Sequence, residues 1–437
     1  MTKKTTAFFA CFLLVICLIS SMFPVAAKAD VMVYVSNGTD ADLGTLAVGE
    51  KLDIDISTGV DRSKFYNAWT PTSSLPDPYW TSSNSAVVEI TDSRKGILTA
   101  KGAGTAIITA TFTFSNPAKP VQLFFTVTVV AKKTTPSIVR YGGGNRYDTA
   151  NLISSGGWPT GCTNVVLVSG TSYPDALIGA PLARLLDAPI LLTSGKELET
   201  TLLNQIKGLK ASNVYILGGE SSVSDKVRTS LAANFKKVER YSGGNRYDTA
   251  LIVAQEIDKL NGFKAKHVFV ATGSSYPDAL AISPYAAMKG YPILYASIAD
   301  ANNAITYGYL ASDMDVAILG GASTVTTDFE NTIKTKVKSV SRISGGNRYE
   351  TALSIAMTYQ KDFLSNDIVL ATGTNFPDAL SGGAFGGKKG LPLLLVNNNT
   401  SLPIAIETFI RTRNPSKIYL LGGGSSVSED IVKQITG

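Results

Sequence analysis

Arginine and aspartate recur in register along this chain. Arg140 and Arg146 stand six residues apart, Arg240 and Arg246 repeat the pair, and Arg342 and Arg348 repeat it again. Each pair is followed by a Pro-Asp-Ala-Leu phrase that carries Asp175, Asp278 or Asp378. A guanidinium keeps its charge and presents a planar fork of donors, which fits a carboxylate or a phosphate equally well. Two uses therefore stand side by side. The arginines can pair structurally with the aspartates, or they can grip an anionic ligand while the aspartates orient them.

The elements that position these residues are written around them. Gly143-Gly-Asn-Arg-Tyr-Asp-Thr-Ala150 recurs unchanged at Gly243–Ala250, and with Glu350 in place of the aspartate at Gly345–Ala352. Asn145 with Asp148 three residues on has the grammar of a helix start. Arg146 then falls in a first turn, where its charge opposes the helix dipole, so it needs a carboxylate or anionic partner. In the second phrase, Ser172, Ser275 and Asn375 lie three residues before the aspartates and predict N-caps, with proline in the first turn. Capping alone would account for Asp175, Asp278 and Asp378. A third phrase, an apolar strand ending in glycines, appears as Tyr215-Ile-Leu-Gly-Gly219, Ala317-Ile-Leu-Gly-Gly321 and Tyr419-Leu-Leu-Gly-Gly423.

Three phrases in fixed order, three times over, mark a triplication. In the first copy the pattern predicts strands at Thr163–Val168, Pro189–Leu192 and Val214–Leu217. Helices are expected at Pro174–Leu186, Leu198–Leu209 and Asp225–Ala233. Continuous apolar strands alternating with helices give a parallel sheet covered on both faces. The expected fold class is therefore multidomain, with three doubly wound, Rossmann- or toprim-like α/β repeats at 137–236, 237–338 and 339–437. Ile138-Val-Arg-Tyr141 opens the first copy, while no such strand follows the third, so a cyclic, pseudo-threefold arrangement is expected. Open α/β sheets bind ligands beyond the carboxyl ends of their strands. The glycine turns, the arginines and the helix starts all fall there, and helix N-termini expose N–H groups to anions. Together they point to a polyanionic or phosphate-bearing ligand.

The segments ahead of the repeats differ in kind. Residues 1–29 read as a signal peptide, with Lys3 and Lys4, an apolar core from Phe8 to Ile19 and an Ala27-Lys28-Ala29 cleavage pattern. The leader holds Lys3, Lys4 and Lys28 and no acidic residue, so its removal takes the formal charge from +6 to a mild +3. That balance gives no reason to expect nucleic acid, and no later stretch is long and apolar enough to span a membrane. Residues 31–131 read as all-β, rich in β-branched and aromatic runs. Their Trp80-Thr-Ser-Ser-Asn84 and Gly96-Ile-Leu-Thr-Ala100 strings resemble the bacterial Ig-like group 2 domain, a sandwich. Residues 132–136 form a polar linker.

Catalytic and metal chemistry finds little footing. His267 is the one histidine, and Cys162 is the one cysteine beyond the leader, too few for a metal site or a cofactor of that kind. The nucleophile-elbow and phosphate-loop patterns do not occur. Carboxylate pairs are present, but none is singled out. Tyr141, Tyr147, Tyr173 and Tyr276 fit core packing, with sugar stacking the other use.

The three phrases in this order resemble the cell wall binding repeat type 2 family of Gram-positive surface proteins, over residues 137–437. The resemblance implies a trimer-like unit of three tandem modules that anchors S-layer and related proteins to an anionic wall polysaccharide, without covalent attachment or catalysis. It implies a teichoic acid-like or phosphorylated polymer as partner, a wall or surface location, and no cofactor. The nine residues Arg140, Arg146, Asp175, Arg240, Arg246, Asp278, Arg342, Arg348 and Asp378 would form the ligand sites. The Ig-like segment would be a spacer or adhesion module, with a protein partner of its own. The family's longer PDALSG string occurs only at Pro377–Gly382. Two other readings stand beside this one: a wall-modifying enzyme or amidase regulator, and an adhesive subunit whose repeats bind protein.

Overall fold

The computed structural model describes residues 41–47, 51–53, 77–102, 104–113, 121–130, 135–297, 303–398 and 401–436. The leader at 1–29 lies outside the described residues, as does a good part of the 31–131 segment assigned to an Ig-like sandwich. The chain forms two compact units, Met1–Lys133 and Thr134–Gly437.

The described part of the first unit is all-β, as expected. Its strands are β1 (Ala41–Ala47), β2 (Lys51–Asp53), β3 (Tyr79–Ser82), β4 (Val88–Asp92), β5 (Ile97–Ala100), β6 (Gly104–Phe112) and β7 (Val121–Val130). One sheet runs β1-β7-β6-β3 and the other β2-β5-β4. Strand β6 alternates: Ala106, Ile108, Ala110 and Phe112 are buried, and the residues between them are more exposed. Period-two alternation is what a sheet with one covered face demands. Trp80 is buried among these side chains, its ring 5.7 Å from that of Phe125.

The second unit alternates strand and helix throughout. The first repeat contains β8 (Ser137–Tyr141), α1 (Arg146–Gly157), β9 (Asn164–Ser169), α2 (Pro174–Leu185), β10 (Ile190–Thr193), α3 (Thr200–Gly208), β11 (Asn213–Leu217) and α4 (Asp225–Ala232). The second contains β12 (Lys237–Tyr241), α5 (Arg246–Asn261), β13 (His267–Thr272), α6 (Pro277–Lys289), β14 (Ile293–Ala296), α7 (Asn303–Tyr309), β15 (Asp315–Leu319) and α8 (Thr327–Lys334). The third contains β16 (Ser339–Ile343), α9 (Arg348–Thr358), β17 (Ile368–Thr372), α10 (Gly382–Lys389), β18 (Leu393–Val396), α11 (Ile404–Arg413), β19 (Lys417–Leu421) and α12 (Glu429–Thr436).

Three four-stranded parallel sheets result, in the orders β10-β9-β11-β12, β14-β13-β15-β16 and β18-β17-β19-β8. The central and far strands are buried along their length, for example Val165–Val168 and Ile190–Thr193, so both faces of the sheet are covered. The strand that opens each sequence copy is the fourth strand of another copy's sheet. β12 completes the first sheet, β16 the second, and β8 the third. In this last pairing Ser137 faces Lys417 and Tyr141 faces Leu421, the same register as Lys237 to Asn213 and Tyr241 to Leu217. The first strand of the unit thus closes a ring with the last, which meets the expectation of a cyclic arrangement.

Helices α2 and α6, which open on Pro-Asp-Ala-Leu, and α10, which follows that phrase, pack on one another at the centre of the ring. Proline sits inside two of them, Pro181 and Pro284, and glycine replaces bulk in the third. A Cβ on Gly383 would lie 2.5 Å from Ser283 Oγ and 2.8 Å from the Ala180 Cβ. Three helices approach this closely only where side chains are small.

Candidate functional site

The helix-start arginines are held by their caps. Asn145 adopts an extended backbone, and its Oδ1 accepts from the N–H groups of Tyr147 at 2.8 Å and Asp148 at 3.0 Å. Its Nδ2 donates back to Asp148 Oδ2 at 2.8 Å. Asn245 and Asn347 cap α5 and α9 in the same way. This fixes Arg146, Arg246 and Arg348 as first residues of their helices, at the carboxyl ends of the sheets. Arg146 Nη1 donates to the Gly170 carbonyl at 2.6 Å, Arg246 Nη1 to that of Gly273, and Arg348 Nη1 to that of Gly373 at 2.5 Å. Among the described residues, the Nε and Nη2 groups of these three arginines make no hydrogen bond to protein. Arg246 is exposed, and Arg146 and Arg348 are half-buried.

The strand arginines are engaged more fully. Each reaches the glycine turn at the end of the neighbouring strand. Arg140 Nη1 donates to Val427 O at 2.9 Å and Gly422 O at 3.3 Å, and its Nη2 to Glu429 at 2.7 Å. Arg342 donates to Gly320 O at 2.8 Å and grips Glu330 Oε2 with Nε at 2.9 Å and Nη2 at 2.7 Å. Arg240 donates to Gly218 O at 2.7 Å and Ser224 O at 3.5 Å, with no carboxylate in contact among the described residues. Burial lowers the Arg240 pKa, with the Asp225 charge pulling the other way.

The Pro-Asp-Ala-Leu aspartates depart from the expected cap. The N-caps of α2 and α6 are Tyr173 and Tyr276, in helical backbone and without a side-chain cap bond; Ser172 and Ser275 do not cap. In the third copy a single 3-10 turn, Pro377–Ala379, precedes α10, and Asn375 accepts from the adjacent Phe376 N–H and caps no helix. The carboxylates instead turn across the sheet end. Asp175 accepts from Ser222 Oγ at 3.2 Å and Asp378 from Ser426 Oγ at 2.5 Å. A Cβ on Gly218, Gly320 or Gly422 would collide with the Oδ2 of Asp175, Asp278 or Asp378, respectively. These turn glycines have φ of +104°, +91° and +104°, a region side chains avoid.

That placement matters because of the strand order. Taken in chain order, the first two sheets run second-first-third-fourth, and the third does so once β8 is counted as its closing strand, so the crossovers leave the first and third strands of each in opposite directions. The crevice at such a switch point is where open α/β sheets usually take ligands. Here it holds the protein's own carboxylate. Burial pushes the Asp175 carboxyl above the usual range, against the Ser222 bond and the Arg246 charge. Burial does the same to Asp278, against the charge of Arg348. In both cases the opposing arginine belongs to the next repeat.

The third component was only half visible in the sequence. The residue before each Pro-Asp-Ala-Leu phrase is aromatic: Tyr173, Tyr276 and Phe376. Their rings meet one another in the second unit, with centroids 5.8, 5.5 and 5.4 Å apart. Arg246 lies over Tyr173 at 5.9 Å and Arg348 over Tyr276 at 5.5 Å. The signal lay in an aromatic at one fixed offset in all three copies, which Phe376 shares without being a tyrosine.

The remaining reactive groups lie elsewhere. His267 opens β13 at the amino end of its sheet, 3.7 Å from Asp315. Burial and the Asp187 charge push the Cys162 thiol up to about 12, far from a nucleophile's range. Among the described residues no group of three or more histidine, cysteine or acidic side chains could hold a metal, and no helix is long and apolar enough to cross a membrane.

A family model described as cell wall binding domain 2 matches three times, at residues 140–228, 240–330 and 342–432; each match begins on a strand arginine. Among curated proteins, the N-acetylmuramoyl-L-alanine amidase LytC of Bacillus subtilis (strain 168) is 35% identical over 303 residues, covering 68% of this chain and 58% of that protein. The amidase enhancer of the same organism is 34% identical over 296 residues, covering 67% of this chain and 39% of that protein. The chain thus spans less than two thirds of either relative. Two solved structures share the fold. Cwp6 from Clostridium difficile has a TM-score of 0.61 at 20% identity, over 90% of this chain and 66% of that one. Cwp8 from the same organism has a TM-score of 0.59 at 24% identity, over 82% and 62%.

Proposed function

This chain belongs to the cell wall binding domain 2 family, and from that premise we propose that it attaches to the wall by gripping an anionic glycopolymer, without chemistry of its own. The protein's role is cell-wall-associated; the polymer, the exposed location on a Gram-positive surface and the absence of catalysis are the finer parts of the proposal. One observation carries it. Three arginines stand at the carboxyl ends of three parallel sheets, each tethered through Nη1, with Nε and Nη2 free of protein partners among the described residues. Such forks suit phosphate or carboxylate groups along a polymer. Asp175, Asp278 and Asp378 act as positioning residues beneath them. The β unit serves as an Ig-like spacer or adhesion module ahead of the anchor.

The test is co-sedimentation of the chain with purified walls, intact or acid-treated to strip phosphodiester-linked polymers. Binding to intact walls only is expected, and its loss on replacing Arg146, Arg246 and Arg348 together by Gln. Equal pelleting with stripped walls would move the ligand to peptidoglycan and overturn the proposal. A second reading, regulation of a wall amidase, is favoured by the amidase and amidase-enhancer relatives. It predicts that adding the chain changes the rate at which an amidase solubilises walls.

A further inference from the structure

Three repeats could mean three separate binding grooves, or one site built by all of them. The positions of the arginines and the aromatic rings decide between these. Each helix-start arginine is tethered to a glycine of its own repeat, yet Arg246 and Arg348 lie against a ring of the preceding repeat. The same junction recurs where the ring closes: α1, which begins with Arg146, packs on the Pro377–Ala379 turn that follows Phe376. Around the pseudo-threefold axis the order is therefore Tyr173, Arg246, Tyr276, Arg348, Phe376, Arg146. The three rings touch one another, so the arginines border a common surface instead of three remote ones. The switch-point crevices, where three independent ligands would enter, are each filled by Asp175, Asp278 or Asp378.

We propose that the repeats build one composite site on their common axis, which takes a single anionic sugar-phosphate strand per molecule. Aromatic faces in the middle suit sugar rings, and guanidinium groups at the edge suit phosphates. The site is not symmetric. Tyr276 Oη accepts from Arg348 at 2.9 Å and donates to Gly373 O at 2.8 Å. Phe376 has no hydroxyl to repeat this, so the Arg146 edge differs chemically from the Arg348 edge. A bound strand therefore meets a face with direction.

This inference rests on the anionic-polymer reading and fails separately from it. The probe is polymer fragments released by acid from purified walls and size-fractionated, titrated calorimetrically into the full chain. One fragment per chain is expected. Replacing Arg146, Arg246 or Arg348 singly by Gln should weaken that one event by about tenfold, the loss of one charge-assisted contact, with the stoichiometry held at one. The matching Lys variants, which keep the charge, should recover part of the affinity. A wild-type stoichiometry of three, falling to two in each single variant with affinity unchanged, would overturn the composite site and leave the anionic ligand standing. Absence of binding by the wild-type chain to both fragments and intact walls would overturn the anionic-polymer reading itself.

Discussion

Two sets of arginines sit within a few residues of one another in every repeat, and the fold uses them differently. Arg140, Arg240 and Arg342 leave a fourth strand and lock into the glycine turn beside it, where backbone carbonyls absorb their donors. Arg146, Arg246 and Arg348 leave a helix start and keep all but one nitrogen free of protein partners among the described residues. The strand set joins one repeat's opening strand to the preceding repeat's turn. The helix set rims the axis. Equal recurrence in the sequence thus hides unequal surroundings: the strand set spends its donors across a repeat junction, and the helix set keeps most of its donors unspent on protein among the described residues.

The sharpest way to break this contrast is to weaken the strand set. Replacing Arg342 by Ala leaves the Gly320 carbonyl and one side of Glu330 without their donor. A loss of about 2 kcal/mol in urea-induced unfolding is expected for such a half-buried ion pair. Among the described residues Arg240 has carbonyl partners alone, so its Ala variant should lose about 1 kcal/mol. Wall binding per folded molecule should be unchanged in both. If either variant bound walls poorly while staying folded, the division between the two sets would fail.

A smaller effect tests the aspartates that lie between the sets. Burial raises the folded-state pKa of Asp175 and Asp278 above the unfolded value. The native state then holds more protons than the unfolded one as pH rises from the ordinary carboxylate range near about 4, so stability falls through that window and levels off above the folded pKa. Asp175→Asn removes one such group. Melting temperature followed from acid to neutral pH should drop less with rising pH in this variant than in wild type. An unchanged slope would mean that Asp175 ionises as it does in water. The smallest change is Phe376→Tyr, which offers Arg146 the hydroxyl that Tyr276 gives Arg348. Affinity for wall polymer should shift by no more than about threefold, in line with one neutral hydrogen bond, while stability holds. A loss of folding would show that the axis has no room for the extra oxygen.

Much of the repeat unit was legible in the sequence because its signals are local. The strand expected at Thr163–Val168 is β9 at Asn164–Ser169, and the helix expected at Pro174–Leu186 is α2 at Pro174–Leu185. The Asn145 cap was readable for the same reason: an N-cap is decided within four residues. Ser172 misled because its phrase has the same cap-to-acid spacing but a different demand. At Tyr173 the chain must already be helical to bring the ring to the axis, and Asp175 is drawn to Ser222 and the Gly218 turn, which lie more than forty residues away in sequence. No local pattern announces that competition. The arginine partners were hidden likewise, since carbonyl acceptors leave no mark in a side-chain sequence.

The triplication, the strand-helix alternation and the all-β character of the described part of the first unit can be read from the residues alone, and the ring closed by β8 is an expectation that the pairing with β19 meets. Each follows from hydrophobic period, turn chemistry or the count of strands per copy. Packing across the repeats sets which arginines keep unspent donors among the described residues, draws the aspartates into the switch-point crevices, and brings Tyr173, Tyr276 and Phe376 together. Those outcomes depend on three chain segments about a hundred residues apart meeting on one axis. Side-chain identity specifies what a group can bond, whereas which partner reaches it first is set by packing across the whole ring.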